Sequence, residues 1–94
     1  MRKYFATYII DCNPSSGVMC GQPEAQIVRD PDTYNVILKD SFNDMFDYCT
    51  KLIETDIQQY PEDSVRACTT ENGLNILDND DYQVMRYDIH EINL

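Results

Sequence analysis

The chain has 94 residues and is strongly acidic, with 17 Asp and Glu against 7 Lys and Arg and a formal net charge of −10. Such a surface repels nucleic acid and anionic membranes and attracts basic partners, whose association it accelerates. Hydrophobic residues make up 43% of the chain and aromatic residues 11%, which a disordered acidic segment would lack. We therefore expect one folded domain over residues 1–94, without direct nucleic-acid binding and without a membrane span.

The first predicted element is a β-strand over Lys3 to Ile10, which is rich in Tyr, Thr, Phe and Ile. Both of its faces carry apolar side chains, and this pattern favours an interior position in a sheet. Residues 11–23 contain Asn-Pro and Ser-Ser-Gly and are predicted to form a loop.

Two further strands are predicted before the helix, at Ala25–Arg29 and Thr33–Leu38. The sequence Asp30-Pro31-Asp32 between them is typical of a turn, so the two strands are expected to form a hairpin. Pro23-Glu24 would also suit the start of a helix, but Ile27-Val28 favours the strand.

The clearest pattern predicts a helix from about Ser41 to Tyr60, ended by Pro61. Ser41 suits the N-cap, with Asp44 three residues later as an acidic variant of the capping box. Asp56 falls near the apolar face, at its margin or in a hydrogen bond. The apolar side chains that recur at helical spacing are Phe42, Met45, Phe46, Cys49, Leu52, Ile53, Ile57 and Tyr60.

The C-terminal third predicts three strands joined by two turns. Val65–Glu71 and Leu74–Leu77 flank Asn72-Gly73, a pair that suits the two positive φ angles of a type I′ hairpin turn. Asp78–Asp81 forms the second turn, and Tyr82–Ile92 is a long final strand. The element order is then β-β-β-α-β-β-β, an α+β fold in which one long helix packs on an antiparallel sheet of five to six strands.

The four cysteines, Cys12, Cys20, Cys49 and Cys68, include no C-x-x-C pair. The apolar stretch after Met1-Arg2-Lys3 is too short for a signal peptide, so we expect a cytoplasmic protein with reduced thiols. The cysteines and His90 lack zinc-ligand spacing, and the Asp78–Asp81 turn fails the EF-hand pattern. Neither a metal nor a cofactor is therefore expected.

Carboxylates on the polar face of the predicted helix form the best interaction candidate. A row of carboxylates resembles the phosphates of a nucleic-acid strand, so a protein that binds nucleic acid through Lys and Arg could bind this row instead. Tyrosine is enriched at interfaces, and Tyr48 lies on the flank of the helix. The residues predicted to bind a partner are Asp40, Asp44, Asp47, Tyr48 and Glu54 of the helix region and Asp78, Asp80 and Asp81 of the turn.

Arg86, Asp88 and His90 alternate along the final strand and are expected to share one face, opposite Met85 and Tyr87. An Asp beside the only histidine could form a general-base pair, but no sequence signal selects a nucleophile. Phosphate-binding and nucleophile-elbow motifs are missing from the sequence. A polar stripe facing solvent is the simpler interpretation, and we expect the chain not to be an enzyme.

In composition the chain is similar to phage or mobile-element inhibitors and to bacterial immunity proteins. The resemblance rests on small size, acidity, abundant Tyr and one helix on an antiparallel sheet, and it covers no individual residue. It implies a stoichiometric inhibitor or adaptor that binds the basic surface of a nucleic-acid-processing protein. Two alternatives stay open: a ligand-binding domain or enzyme using His90 and Asp88, and a self-assembling subunit that pairs through a strand edge.

Overall fold

A computed structural model of the chain describes residues 1–10 and 25–94. Within these ranges the chain forms five strands and one helix. In chain order they are β1 (Arg2–Ile10), β2 (Gln26–Ile27), α1 (Phe42–Ile57), β3 (Val65–Thr69), β4 (Gly73–Asp78) and β5 (Gln83–Asn93). The loop predicted for 11–23, together with Cys12 and Cys20, lies outside the described residues.

The five strands form one antiparallel sheet in the order β2-β1-β5-β4-β3, and α1 packs against one face of it. This confirms the predicted α+β fold with a single helix on an antiparallel sheet. Along their whole length β1 and β5 pair, from Arg2 opposite Asn93 to Ile10 opposite Met85. On its other side β1 pairs with β2 only at Thr7 and Tyr8, so the interior position predicted for the first strand is reached only in part.

The helix α1 begins where the sequence places it, because the Ser41 hydroxyl accepts a 3.1 Å hydrogen bond from the Asp44 N–H. It ends at Ile57, earlier than the predicted Tyr60. Beyond Ile57 the backbone tightens into a 3₁₀-like turn in which the Tyr60 N–H donates to the Ile57 carbonyl at 3.1 Å. Pro61 then prevents any further helical turn.

The core lies between α1 and the facing side of the sheet. Met45, Cys49 and Ile53 of α1 are all but completely buried. Burial of a side chain as large as Met or Ile stabilises the fold by about 1.5–3 kcal/mol. The sheet residues buried against them are Ala6, Leu74, Ile76, Met85, Tyr87 and Ile89.

One polar contact crosses this core. The Tyr87 hydroxyl donates a 2.5 Å hydrogen bond to the Asp56 carboxylate. Of the two alternatives predicted for Asp56, the margin of the apolar face or a hydrogen bond, the hydrogen bond is therefore confirmed. Burial of the ring, reinforced by this bond and the negative charge of Asp56, raises the pKa of Tyr87 far above its usual value.

The predicted hairpin before the helix is mostly wrong. Of Ala25–Arg29 only two residues form a strand, and Thr33–Leu38 forms none, contributing one isolated bridge between Val36 and Arg29. The Asp30 carboxylate accepts from the N–H groups of Asp32 and Thr33, and Tyr34 adopts a left-handed φ of 65°. This tight turn diverts the backbone and leaves too few residues to extend a ladder.

The β3–β4 hairpin forms, but its predicted turn is wrong by one residue. Thr69 pairs with Leu74, and the Thr70 N–H donates to the Gly73 carbonyl at 2.9 Å, so Glu71 and Asn72 make the turn. Asn72 and Gly73 do not adopt positive φ angles. Gly73 is instead required because a Cβ there would collide with the carbonyl oxygen of Tyr87 on β5.

In the described ranges α1 is the only α-helix, and it is neither long nor apolar enough to cross a membrane.

Candidate functional site

The outward face of α1 carries three exposed carboxylates, Asp44, Asp47 and Glu54, which we call the helix stripe. Their spacing of three and seven residues places them on one side of the helix, opposite the buried face. Within residues 1–10 and 25–94, none of the three has an ion-pair partner. The ammonium of Lys51, one turn from both Asp47 and Glu54, lies on the same exposed face.

Two other predicted carboxylates are already neutralised by the chain itself. Asp40 forms an ion pair with Lys3, and Asp81 forms one with Arg66. The hydrogen bond and positive charge of Lys3 lower the pKa of Asp40 below its usual value. Both pairs are largely exposed, so each contributes little to stability.

The predicted second turn is confirmed, and Asp78 has a structural part in it. One oxygen of its carboxylate accepts from the Asp80 N–H at 2.9 Å and from the Tyr82 N–H at 3.0 Å. Asp81 closes the turn with a left-handed φ of 65°. Only Asp80 of this turn presents an exposed carboxylate that is bound neither to backbone nor to a cation in the described part of the chain.

Tyr48 lies half-buried beside the helix stripe, with the Lys39 ammonium 5.0 Å from the centre of its ring. This distance allows a cation–π contact. Burial, with a smaller contribution from the charge of Asp30, raises the pKa of the Tyr48 hydroxyl. Tyr48 therefore holds a cation at its ring face and keeps its proton at neutral pH.

The structure does not bring all eight predicted residues together. Asp40 is bound to Lys3, which pairs with Ile92 near the end of β5, whereas the Asp78–Asp81 turn leads into Gln83 at its start. At about 3.4 Å per residue, that length of β5 separates the two groups by about 30 Å. Asp40 and the turn therefore belong to two separate acidic surfaces.

The cations of the chain are almost all occupied. Ion pairs hold Arg2 to Glu91, Lys3 to Asp40, Arg66 to Asp81 and Arg86 to Asp88. Arg29 lies over the Tyr34 ring at 5.1 Å and Lys39 over Tyr48. Of the 7 Lys and Arg, only Lys51 has no such contact within residues 1–10 and 25–94, so the excess carboxylates of these ranges have little internal compensation.

His90 lies on the face of the sheet opposite α1, as the alternation of β5 predicts. Its Nε2 is 2.8 Å from the Thr7 hydroxyl, and its ring stacks on Phe5 at 5.0 Å. Asp88 instead accepts from Arg86 at 2.8 Å. The hypothesised His–Asp pair is therefore replaced by His–Thr and Arg–Asp pairs on the described surface.

A shallow polar hollow of about 770 Å³ lies beside His90. Carboxylates, amides and the Arg86 guanidinium surround it, and the buried hydroxyl oxygen of Thr70 at its margin has no hydrogen-bond partner among the described residues. Across residues 1–10 and 25–94, no group of three or more His, Cys, Asp or Glu side chains is arranged to hold a metal ion.

The Phe5–Thr7–His90 contact was missed by the sequence analysis. Phe5 and Thr7 lie far from His90 in the chain and meet it only because β1 pairs with β5, with Phe5 directly opposite His90. The sequence marks both strands but carries no signal for which strands are neighbours.

In comparison with known proteins, the chain matches no protein-family model, no curated protein and no solved structure.

Proposed function

We propose that the chain is a small acidic interaction module, a stoichiometric inhibitor or adaptor of the cytoplasm that binds a basic surface of a nucleic-acid-binding protein through the helix stripe. The observation that carries this proposal is the unequal pairing of charges. The cations of the chain are almost all held by internal contacts, whereas Asp44, Asp47 and Glu54 are exposed without an ion-pair partner in the described ranges.

The geometry of the stripe supports the type of partner. Side chains three and four residues apart on a helix have Cβ atoms about 5–6 Å apart, so Asp44 and Asp47 are neighbours, and Glu54 follows two turns beyond Asp47 on the same face, with Lys51 between them. Proteins that bind nucleic acid place Lys and Arg along a row of phosphates. The same cations can contact a row of carboxylates, and the flanking Tyr48 adds aromatic contact area beside it.

The stripe is held rigid by the fold beneath it. Met45, Cys49 and Ile53 anchor the opposite side of α1 in the core, and Ser41 caps its first turn. A preorganised helix loses little backbone entropy on binding, which favours affinity. Binding through it should weaken as salt is added, since exposed charges are screened within about 10 Å at 0.1 M ionic strength.

The test is capture of partners from the native host lysate on three immobilised forms of the chain. They are the wild type, Asp44→Lys with Asp47→Lys, and a control of equal charge change, Asp32→Lys with Asp80→Lys. The control residues are exposed carboxylates that are not part of α1. We expect one basic protein to be enriched on the wild type and control, to elute in a salt gradient, and to be reduced at least tenfold on the helix variant.

Circular dichroism and a thermal melt of each variant confirm that the fold is intact. Equal enrichment on all three forms would contradict the proposal. Loss on the control alone would assign binding to the surfaces around Asp32 or Asp80 instead and would equally contradict a role for α1.

A further inference from the structure

The outer edge of β3 presents unpaired backbone. In an antiparallel ladder, alternate residues direct their N–H and C=O groups to opposite sides of the strand. The Thr70–Gly73 hydrogen bond sets this alternation for the β3–β4 pair, so Arg66 and Cys68 bond to β4. The residues whose backbone groups point away from the sheet are Val65, Ala67 and Thr69.

This edge carries little protection against another strand. Proteins commonly block edges with Pro, bulges or inward-pointing charges. Between Val65 and Thr69 there is no Pro, and the register shift of β4 at Ile76 and Leu77 lies in its pairing with β5, not with β3. The one charged side chain, Arg66, turns back to Asp81 and to the Asp78 carbonyl at 3.2 Å. Within the described residues, nothing pairs with the edge.

The surroundings of the edge are apolar on one side and acidic at both ends. Next to Val65, a cavity of about 410 Å³ is bordered by the apolar Ile57, Tyr60 and Pro61 and, on its rim, by Gln58, Glu62 and Asp63. Glu62 and Asp63 are exposed at the start of β3, and Glu71 is exposed just beyond its end. A strand lying along the edge would therefore meet carboxylates at each terminus and an apolar recess on the α1 side.

The carboxylates at the two ends of the β3 edge indicate which kind of strand can bind there. Two copies of β3 paired about a twofold axis would place Val65 opposite Thr69 of the other copy, and hence Glu62 and Asp63 beside the other copy's Glu71. Like charges in such positions repel. We propose that the β3 edge binds an extended segment of a partner protein that has apolar residues at alternate positions and Lys or Arg at both ends, adding a sixth strand to the sheet.

The geometry defines this segment. Residues directly opposite Val65, Ala67 and Thr69 bond to them and share their side of the sheet, so their side chains face α1 and the recess. Five residues of β3 span about 16 Å, which a segment of about seven residues covers with its terminal cations at the acidic ends. This site is separate from the helix stripe and goes beyond the function proposed for it.

The test uses a synthetic peptide, acetyl-Lys-Val-Thr-Val-Thr-Val-Lys-amide, and the same peptide with its three valines N-methylated. Methylation removes the N–H groups that would bond to β3 and keeps both charges. Amide exchange is followed by NMR on the ¹⁵N-labelled full chain. We expect the first peptide to slow exchange at Val65, Ala67 and Thr69 at least tenfold, and the methylated peptide to bind at least tenfold more weakly.

Two pairs of variants refine the result. Ala67→Pro removes an outward N–H without losing a bond to β4, whereas Ala67→Val keeps that N–H, so only the proline variant should lose binding. Glu62→Gln with Glu71→Gln should weaken binding about three- to tenfold. Asp44→Lys with Asp47→Lys should leave the protection of the edge amides in place, so the two proposals fail independently.

Three outcomes would overturn the proposal. One is equal binding of the methylated and unmethylated peptides, which would show charge attraction without strand pairing. Another is unchanged exchange at the three edge amides. The last is slow exchange of those amides in the absence of peptide, if the protection increases with protein concentration and the native mass doubles. That result would assign the edge to a second copy of the chain.

Discussion

The fold requires a glycine at position 73, but for a different reason from the one that the sequence suggests. The dipeptide Asn72-Gly73 suggested a turn that needs positive φ, yet the requirement comes from the close approach of Gly73 to the Tyr87 carbonyl. That constraint belongs to the neighbouring strand β5, and no pattern within the hairpin encodes it.

Gly73→Ala should therefore lower the free energy of unfolding by about 1–3 kcal/mol, the usual cost of forcing a methyl group into packed backbone. Denaturant unfolding followed by circular dichroism measures it. Asn72→Ala is the matched control and should change stability by less than about 0.5 kcal/mol, because its side chain is exposed. Comparable losses in both variants would restore the type I′ interpretation and contradict the observed register.

The buried thiol of Cys49 should make the free energy of unfolding depend on pH. Burial raises its pKa from 9.0 to about 11. The unfolded chain therefore releases this proton near pH 9, while the folded chain keeps it up to about pH 11. The contribution of the thiol is complete below pH 9 and is lost as the pH rises through that window.

We expect the free energy of unfolding of the wild type to fall between pH 9 and 11 more steeply than that of Cys49→Ala, by up to about 1.4 kcal/mol for each pH unit. Titrating groups that are not coupled to Cys49 are common to both proteins and cancel in the comparison, whereas Tyr48 and Tyr87, whose pKa values Cys49 helps to raise, belong to the effect of the thiol. Urea unfolding at a series of pH values measures the two slopes. Parallel slopes would show that the thiol reaches solvent in the folded chain.

The helix is the element that the sequence predicts most completely. Its cap, its apolar stripe and its terminating Pro61 are all local features, and each acts within one or two turns. Thr33–Leu38 shows the opposite case. Its residues favour a strand, but the Asp30 turn and the left-handed Tyr34 override that preference.

Ser41→Ala should remove the cap and lower the free energy of unfolding by about 1 kcal/mol. Asn43→Ala, in the same turn, serves as control because Asn43 is exposed and takes no part in the cap. Thermal unfolding of the two variants distinguishes them. A Ser41→Ala protein as stable as the wild type would mean that the 3.1 Å bond to Asp44 contributes nothing.

For the molecule as a whole, the sequence gives the sign and size of the charge but not its distribution. The antiparallel order β2-β1-β5-β4-β3 separates the Asp40 region from the Asp78–Asp81 turn and brings His90 to Thr7. Both results depend on which strands are neighbours, and strand neighbours are set by packing between distant segments. The acidic residues could thus be named from the sequence, but their division into two surfaces could not.

The measurement that tests the central claim most directly is an NMR footprint of the captured partner on the ¹⁵N-labelled chain, recorded at low and at moderate salt. We predict that the largest amide shifts fall on the helix stripe, around Asp44, Asp47 and Glu54, and that they shrink as salt is added. Shifts centred on the hollow beside His90, and insensitive to salt, would contradict the claim that this chain acts through the outward face of α1.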